Sequence, residues 1–300
     1  MQSSQPARLG IGVISAGKVG AVLAAALREV GHAIVGVHAV SEASQTRAEA
    51  LLPGVPQLTV PEIVERSEVV LLAVPDDQLA SLVTGLAETG AWQQGQIVIH
   101  TSGAHGAGVL DPARERGAIG LAIHPAMTFT GLSLDLTRLK QCSFAVTGPA
   151  PFLPIAQALV VEMGGEPVHV AEGDRPLYHA ALAHAANHLT TITGQSLQVL
   201  ESLGLPDPAR FIEPLLRASL DNALASGENA LTGPVARGDA HTVAAHREQL
   251  AGYAAEEDAP DIGDAYVALA EATARRAHRR GALTDEALHE VLSALRGANG

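Results

Sequence analysis

The sequence predicts an α/β fold, a doubly wound parallel sheet over residues 1–171, followed by an all-helical domain over residues 172–300. Through the first half, short apolar runs alternate with helical patterns, as in βαβ units built around a parallel sheet. Beyond residue 172 the pattern changes to long amphipathic helices rich in alanine and leucine.

The elements follow in order. Leu9–Ser15 reads as a buried strand, and the helix after it runs from about Lys18 to Val30 and stops at Gly31. Ala33–Val37, Glu68–Val74, Gln96–His100, Ile119–Ile123 and Ser143–Val146 continue the strands, and Val168–Ala171 adds a last one. Helices are expected over 174–202, 208–226, 240–255, 262–280 and 285–297. Asp207-Pro208 and Thr284-Asp285-Glu286 supply a capping side chain followed by proline or acids in the first turn. The one long break, Gly227–Asp239, holds glycines and a proline that suit a defined loop.

Composition excludes several classes of partner. A formal charge of −13 with no Lys/Arg run argues against nucleic acid. No stretch approaches the roughly 18 apolar residues of a membrane helix, and Met1–Arg8 lacks the apolar core of a signal peptide. A single cysteine, Cys142, forms no intrachain disulfide and fits a reducing compartment. Together these place the protein in the cytoplasm.

The first strand runs into Gly12-Val13-Ile14-Ser15-Ala16-Gly17-Lys18-Val19-Gly20. Against the Rossmann dinucleotide fingerprint, Ser15, Gly17 and Gly20 occupy the three glycine positions. Ser15 departs from the pattern at the tight turn and is tolerable there if its φ stays below zero. Ser15, Ala16, Gly17, Lys18 and Val19 are then the pyrophosphate loop, with the free N–H groups of the helix N-terminus facing the phosphates. An acid for the ribose 2′-OH is expected about 20 residues on; no acid closes the second strand, whereas Ser41, Ser44 and Arg47 suit a 2′-phosphate. NADP, as NADPH, is therefore favoured over NAD, with Glu42 as the counter-argument and an exposed helical position as the plain alternative for Arg47. Val74-Pro75 at the carboxyl edge shapes the turn beside the cofactor.

Three polar clusters follow: His100–Gly106 and His124–Phe129, each just past a strand, and Tyr178–His188 on the first helix of the second domain. Hydride delivery to a carbonyl builds charge on oxygen and needs a proton donor with fixed hydrogen-bond donors. His124, in a His-Pro after a buried strand, is the candidate acid, assisted by Ser102; Asn187 would orient the carbonyl, with His184 close by. His184 and His188 have metal-ligand spacing, but no acid joins them, so no metal is expected. His100 reads also as a core histidine bonded to backbone, His105 as a loop residue, and Tyr178 and His179 as packing groups. In Leu231–Asp239, Arg237 would clamp a substrate carboxylate or pair with Asp239.

GVISAGKVG, VVLLAVPDD, HTSGA, HPAMTF, YHAALAHAANH and LTGPVARGD occur in an order that resembles a family of Rossmann-like proteins with a helical C-terminal domain. That family is related to the 6-phosphogluconate dehydrogenase-like and the deazaflavin-dependent NADP reductases. The resemblance implies a homodimer formed through the helical domain. In some members it implies ketopantoate reduction in pantothenate synthesis. It also matches Ser102 and His124 to a serine and a His-Pro of prephenate dehydrogenases, and Asn187 to an asparagine that follows a catalytic lysine in hydroxyacid dehydrogenases. His184 stands where that lysine would be, and no lysine occurs after Lys140. The expected function is NADPH-dependent reduction of a small, anionic 2-oxo acid. The competing expectation is a dinucleotide-binding sensor or scaffold without catalysis.

Overall fold

The computed structural model describes residues 8–297. The N-terminal segment before Arg8, read above as lacking a signal peptide, lies outside them. The chain divides into two compact units, Met1–Ala186 and Asn187–Gly300.

In the first unit the elements are β1 (Gly10–Ile14), α1 (Lys18–Glu29), β2 (Ala33–His38), α2 (Glu42–Leu51), α3 (Val60–Arg66), β3 (Val69–Leu72), α4 (Asp76–Glu88) and β4 (Ile97–His100). They continue as α5 (Asp111–Arg114), β5 (Ile119–Pro125), α6 (Leu134–Leu139), β6 (Ser143–Thr147), α7 (Leu153–Glu162), β7 (Glu166–His169) and the long α8 (Arg175–Ser202), which runs on into the second unit. The seven strands form one sheet in the order β2-β1-β3-β4-β5-β6-β7. From β2 to β5 all pairings are parallel. The sheet is not wholly parallel, however: β6 runs antiparallel to β5, and β7 follows β6. The alternation of buried residues does not encode strand direction, so this reversal is silent in sequence. The last strand also closes at His169 rather than at Ala171.

Central strands buried on both faces need apolar residues at consecutive positions; β3, VVLL, is buried throughout. Ile11, Val13, Leu71, Ile99 and Leu121 pack with α1 and α7 on one face. Ile14, Val70, Leu72 and Val98 pack with α3 and α4 on the other. The carboxyl ends of β1 to β5 therefore share one edge, where ligands lie in open α/β sheets.

The second unit holds the rest of α8, then α9 (Pro208–Ser226), α10 (Pro234–Arg237), α11 (Ala240–Glu256), α12 (Pro260–Arg279) and α13 (Asp285–Arg296). The caps expected from sequence are present: Asp207 accepts from the Arg210 N–H, and Thr284 from that of Ala287. Its core is small, with Ala236, Val243, Ala270, Ala274, Ala277, Leu283, Val291 and Leu295 drawn from α10 to α13 and the turn before α13. In α9 only Ile212 is buried, while Phe211, Leu215, Leu220 and Leu224 are exposed. No helix of the described residues is long and apolar enough to cross a membrane.

Candidate functional site

The loop after β1 is stitched to the end of β2. The N–H groups of Ser15 and Ala16 both donate to the carbonyl of His38, at 3.1 and 3.0 Å. To reach it, Ser15 adopts φ +73°, in the left-handed region. The expectation of a negative φ is corrected: the turn is as tight as the glycine form, and a serine carries it. Ala16 is fully buried with its amide spent, so it shapes the loop rather than facing a ligand.

Gly17 precedes α1 without a side-chain cap, and no acid occupies the first turn. The leading N–H groups of α1, at Lys18 and Val19, have no intrahelical carbonyl to reach and carry the positive end of the dipole. A β-carbon on Gly17 would meet nothing nearer than Ser15 Oγ at 3.7 Å, leaving the backbone open to close approach. On Gly20 a β-carbon would overlap the Ser15 carbonyl oxygen and stand 2.9 Å from Ala73 Cβ. The glycine thus lets α1 seat against the loop and the end of β3.

This loop opens on a cleft of about 810 Å³. Ser15 and Gly17, Val74 and Pro75, and Ser41, Ser44 and Arg47 all line it, with His38 at the end of β2. Seven residues expected at a dinucleotide (Ser15, Gly17, Ser41, Ser44, Arg47, Val74 and Pro75) are therefore brought to one cavity. Ser41 caps α2, accepting from the Ser44 N–H at 3.2 Å. Glu42, the acid weighed against NADP, is exposed and lies outside the cleft wall. Arg47 and Lys18 flank Gly131: a β-carbon there would overlap Arg47 Nε and stand 3.1 Å from Lys18 Cγ. The buried carboxylate of Asp135 holds this loop, accepting from the N–H groups of Thr130 and Gly131 at 2.8 Å. Burial raises the Asp135 pKa, but the Gly131 and Thr130 hydrogen bonds and the Arg138 charge outweigh it, and the carboxyl stays below its ordinary value. Among the described residues, Lys18 and Arg47 make no ion pair. Arg47 thus stands at this cleft without a carboxylate on it, and Lys18 lies beside the same glycine.

The histidines at the carboxyl ends of β4 and β5 are placed by a network that sequence did not reveal. His100 is fully buried, with Nε2 2.8 Å from the Gly106 carbonyl and Nδ1 accepting from the Ser102 N–H at 3.2 Å. Burial pushes its pKa down to about 4, so it is a neutral core histidine. Ser102 is buried too, and its hydroxyl accepts from the His105 N–H at 3.2 Å. His105 itself is half-buried rather than an open loop residue.

His124 is half-buried, and its Nδ1 lies 2.9 Å from the Tyr178 hydroxyl. Burial first, then the charges of Arg175 and His179, push its pKa down to about 4. His124 is therefore a neutral imidazole at pH 7. Tyr178 and His179 each meet the His124 ring edge-on, with centroids at 5.6 and 6.3 Å. Gly103 admits this cluster, since a β-carbon would stand 2.8 Å from His179 and 2.9 Å from His124 Nε2.

Arg175, the first residue of α8, is 0 % exposed. Its Nε donates to Thr147 Oγ1 at 2.8 Å, and its terminal nitrogens donate to the carbonyls of Ser102, Ala122 and Ala145 at 3.2, 3.2 and 3.0 Å. One guanidinium thus ties the ends of β4, β5 and β6 to the start of the helix. A signal existed: a cation in a first helical turn opposes the macrodipole and needs another reason to be there.

His184 is exposed on α8, and Asn187, also exposed, belongs to the second unit. Arg237 is exposed and forms no ion pair with Asp239, whose carboxylate instead caps α11 through Thr242. The second unit has its own largely apolar cavity of about 720 Å³, bordered by Thr232, Pro234 and Val235 of the same loop but not by Arg237. Among the described residues no three His, Cys, Asp or Glu side chains are grouped to hold a metal ion.

Residues 1–125 match the model of a Rossmann-like domain, and residues 142–273 match that of a domain of unknown function, DUF2520. No curated protein matches the chain. Among solved structures, a candidate NADP oxidoreductase from Bacteroides fragilis superposes with a TM-score of 0.74 at 20% identity, over 89% of this chain and 98% of that one. A protein from Thermotoga maritima gives 0.65 at 22%, over 90% and 99%. A reductive aminase from Aspergillus terreus, in complex with NADPH and ethyl-5-oxohexanoate, gives 0.66 at 17%, over 95% and 99%. At these identities the likeness is one of fold. The chain carries, in order, a Rossmann-like domain and a DUF2520 domain.

Proposed function

We propose that the protein is an NADPH-dependent oxidoreductase that reduces a small anionic 2-oxo acid, with ketopantoate as the leading substrate. The observation that supports this most is the cleft at the carboxyl edge of β1 to β3. There an uncapped helix N-terminus and Arg47, a cation without a carboxylate partner, border one cavity. Gly17, Lys18 and Val19 would hold the pyrophosphate through backbone N–H groups, and Ser41, Ser44 and Arg47 the 2′-phosphate. Bound there, the reduced nicotinamide supplies hydride. The folds that superpose include proteins crystallised with NADP, NAD+ and NADPH, in support of a dinucleotide in this cleft. His124, Ser102, His184 and Asn187 remain the candidates around the substrate, and Arg237 the candidate for its carboxylate.

The exposed Phe211, Leu215, Leu220 and Leu224 of α9, beside so small a helical core, support a homodimer that buries this face. The lone cysteine, buried and with its thiol pushed up to about 11, suits the reducing cytoplasm.

The test is NADPH oxidation by the purified protein against ketopantoate, other 2-oxo acids and cyclic imines. Turnover of a 2-oxo acid supports the reading, and turnover of imines alone moves the substrate class. NADPH binding without turnover of any of them favours the sensor reading, which the absence of lysine after Lys140 supports. A monomer in light scattering at micromolar concentration overturns the dimer.

A further inference from the structure

The reductase reading needs a proton for the oxygen that gains charge, and a neutral His124 is a weak source of it. Tyr178 stands beside it. Its hydroxyl lies 2.9 Å from His124 Nδ1, and its ring lies under the Arg175 guanidinium, whose Cζ is 5.9 Å from the centroid. The Arg175 charge is fully buried and makes no ion pair among the described residues; all its acceptors are carbonyls and a hydroxyl. An uncompensated buried cation is costly, and its field acts on whatever anion forms next to it.

We infer that Tyr178 is the proton donor of the reaction, with His124 and Arg175 as positioning residues that stabilise its phenolate. This rests on the reductase reading. In this arrangement His124 carries its proton on Nδ1 and donates it to the phenol oxygen, leaving the Tyr178 O–H free to point outward. As the carbonyl carbon accepts hydride, the C=O π pair moves to oxygen and that oxygen takes the Tyr178 proton. The alcohol is formed, a phenolate remains, and water reprotonates it through the half-exposed side of the ring.

Two features favour Tyr178 over its neighbours. It is protonated at neutral pH, whereas His124 holds only the proton its neutral ring needs. It also sits at the carboxyl end of β5, two strands from the β3 end that lines the cleft, about 10 Å away at the usual strand spacing. That distance lies within reach of an extended dinucleotide. The charged and titratable groups acting on the cluster are Arg175, His179, Cys142, Asp76 and, through Arg175, Glu172. Burial raises the phenol pKa and Arg175 lowers it.

Tyr178→Phe removes one hydroxyl and keeps the ring. It is expected to cut turnover about 10²- to 10⁴-fold with NADPH affinity unchanged. A readout independent of turnover is the tyrosinate absorbance titration, with the Tyr178 step assigned by its loss in Tyr178→Phe. Removing the hydrogen bond in His124→Ala, or the cation in Arg175→Met, is expected to move that step to higher pH. Arg175→Lys, which keeps the charge, is expected to hold it near wild type and guards against a misfolded Met variant. If the wild type reduces substrate and Tyr178→Phe keeps full turnover, the inference fails while the reductase reading stands. If NADPH does not bind at all, the reductase reading fails and carries the inference with it. If NADPH binds but no substrate turns over, the titration decides: a Tyr178 step unmoved by both His124→Ala and Arg175→Met overturns the inference, and an upward shift supports it.

Discussion

Gly17 and Gly20 lie three residues apart at the start of α1, yet the structure gives them separable roles. In Gly20→Ala the new methyl would overlap the Ser15 carbonyl oxygen and press on Ala73 Cβ from 2.9 Å. Both neighbours are fixed, one by backbone and one by the end of β3, so α1 must move outward. Overpacking of this kind costs about 1–3 kcal/mol. With about 2–4 °C lost per kcal/mol in a domain of this size, Tm should fall by roughly 2 to 12 °C. In Gly17→Ala the methyl meets only Ser15 Oγ at 3.7 Å, and φ is −70°. Folding should barely change, by less than about 1 kcal/mol at a capping position. The same methyl stands where the pyrophosphate must approach, so NADPH should bind at least about tenfold more weakly, or 1.4 kcal/mol. Thermal melts and calorimetric titrations of both variants make the comparison. A Gly20→Ala protein that melts with the wild type, or a Gly17→Ala protein with undiminished affinity, would refute this reading of the loop.

Ser15→Gly should stabilise the fold by up to about 1.5 kcal/mol. It removes a left-handed cost of about 1–2 kcal/mol, against about 0.5–1 kcal/mol of added chain entropy; a lower midpoint in urea would contradict this. Arg47→Ala should weaken NADPH by about 10- to 100-fold, the loss of a charged hydrogen bond worth about 1.5–3 kcal/mol, and leave NADH unchanged; equal losses for both would count against the 2′-phosphate assignment. His100 and His124 are both depressed to about 4 from an ordinary 6.5. Between those values the unfolded chain binds more protons, so stability should fall as pH drops from 6.5 towards 4. Urea midpoints flat across that interval would show that the two rings are charged in the fold.

Much of this molecule is legible in its sequence, because its signals are local. The strand at Val69–Leu72 is an unbroken apolar run ended by Pro75, and α9 and α13 begin where Asp207 and Thr284 offer caps. The cleft was legible for the same reason, since Gly17, Ser41 and Val74-Pro75 each sit at a strand end or a helix start, and Arg47 follows on the helix that Ser41 caps. The rest depends on partners distant in the chain. The positive φ of Ser15 follows from the reach to the His38 carbonyl, and the direction of β6 leaves its burial pattern unchanged. Arg175 bonds to groups contributed by residues 102, 122, 145 and 147, and no window around Arg175-Pro176 contains them. Its field helps depress the pKa of His124, so the protonation state of the residue singled out in sequence is set partly by one that was not.

The central claim is that the cleft at the ends of β1, β2 and β3 binds a reduced NADP. Isothermal titration of the wild-type protein with NADPH and with NADH, at equal ionic strength, tests it most directly. The account predicts saturable binding of NADPH, tighter than that of NADH. Absence of binding by either dinucleotide would contradict it.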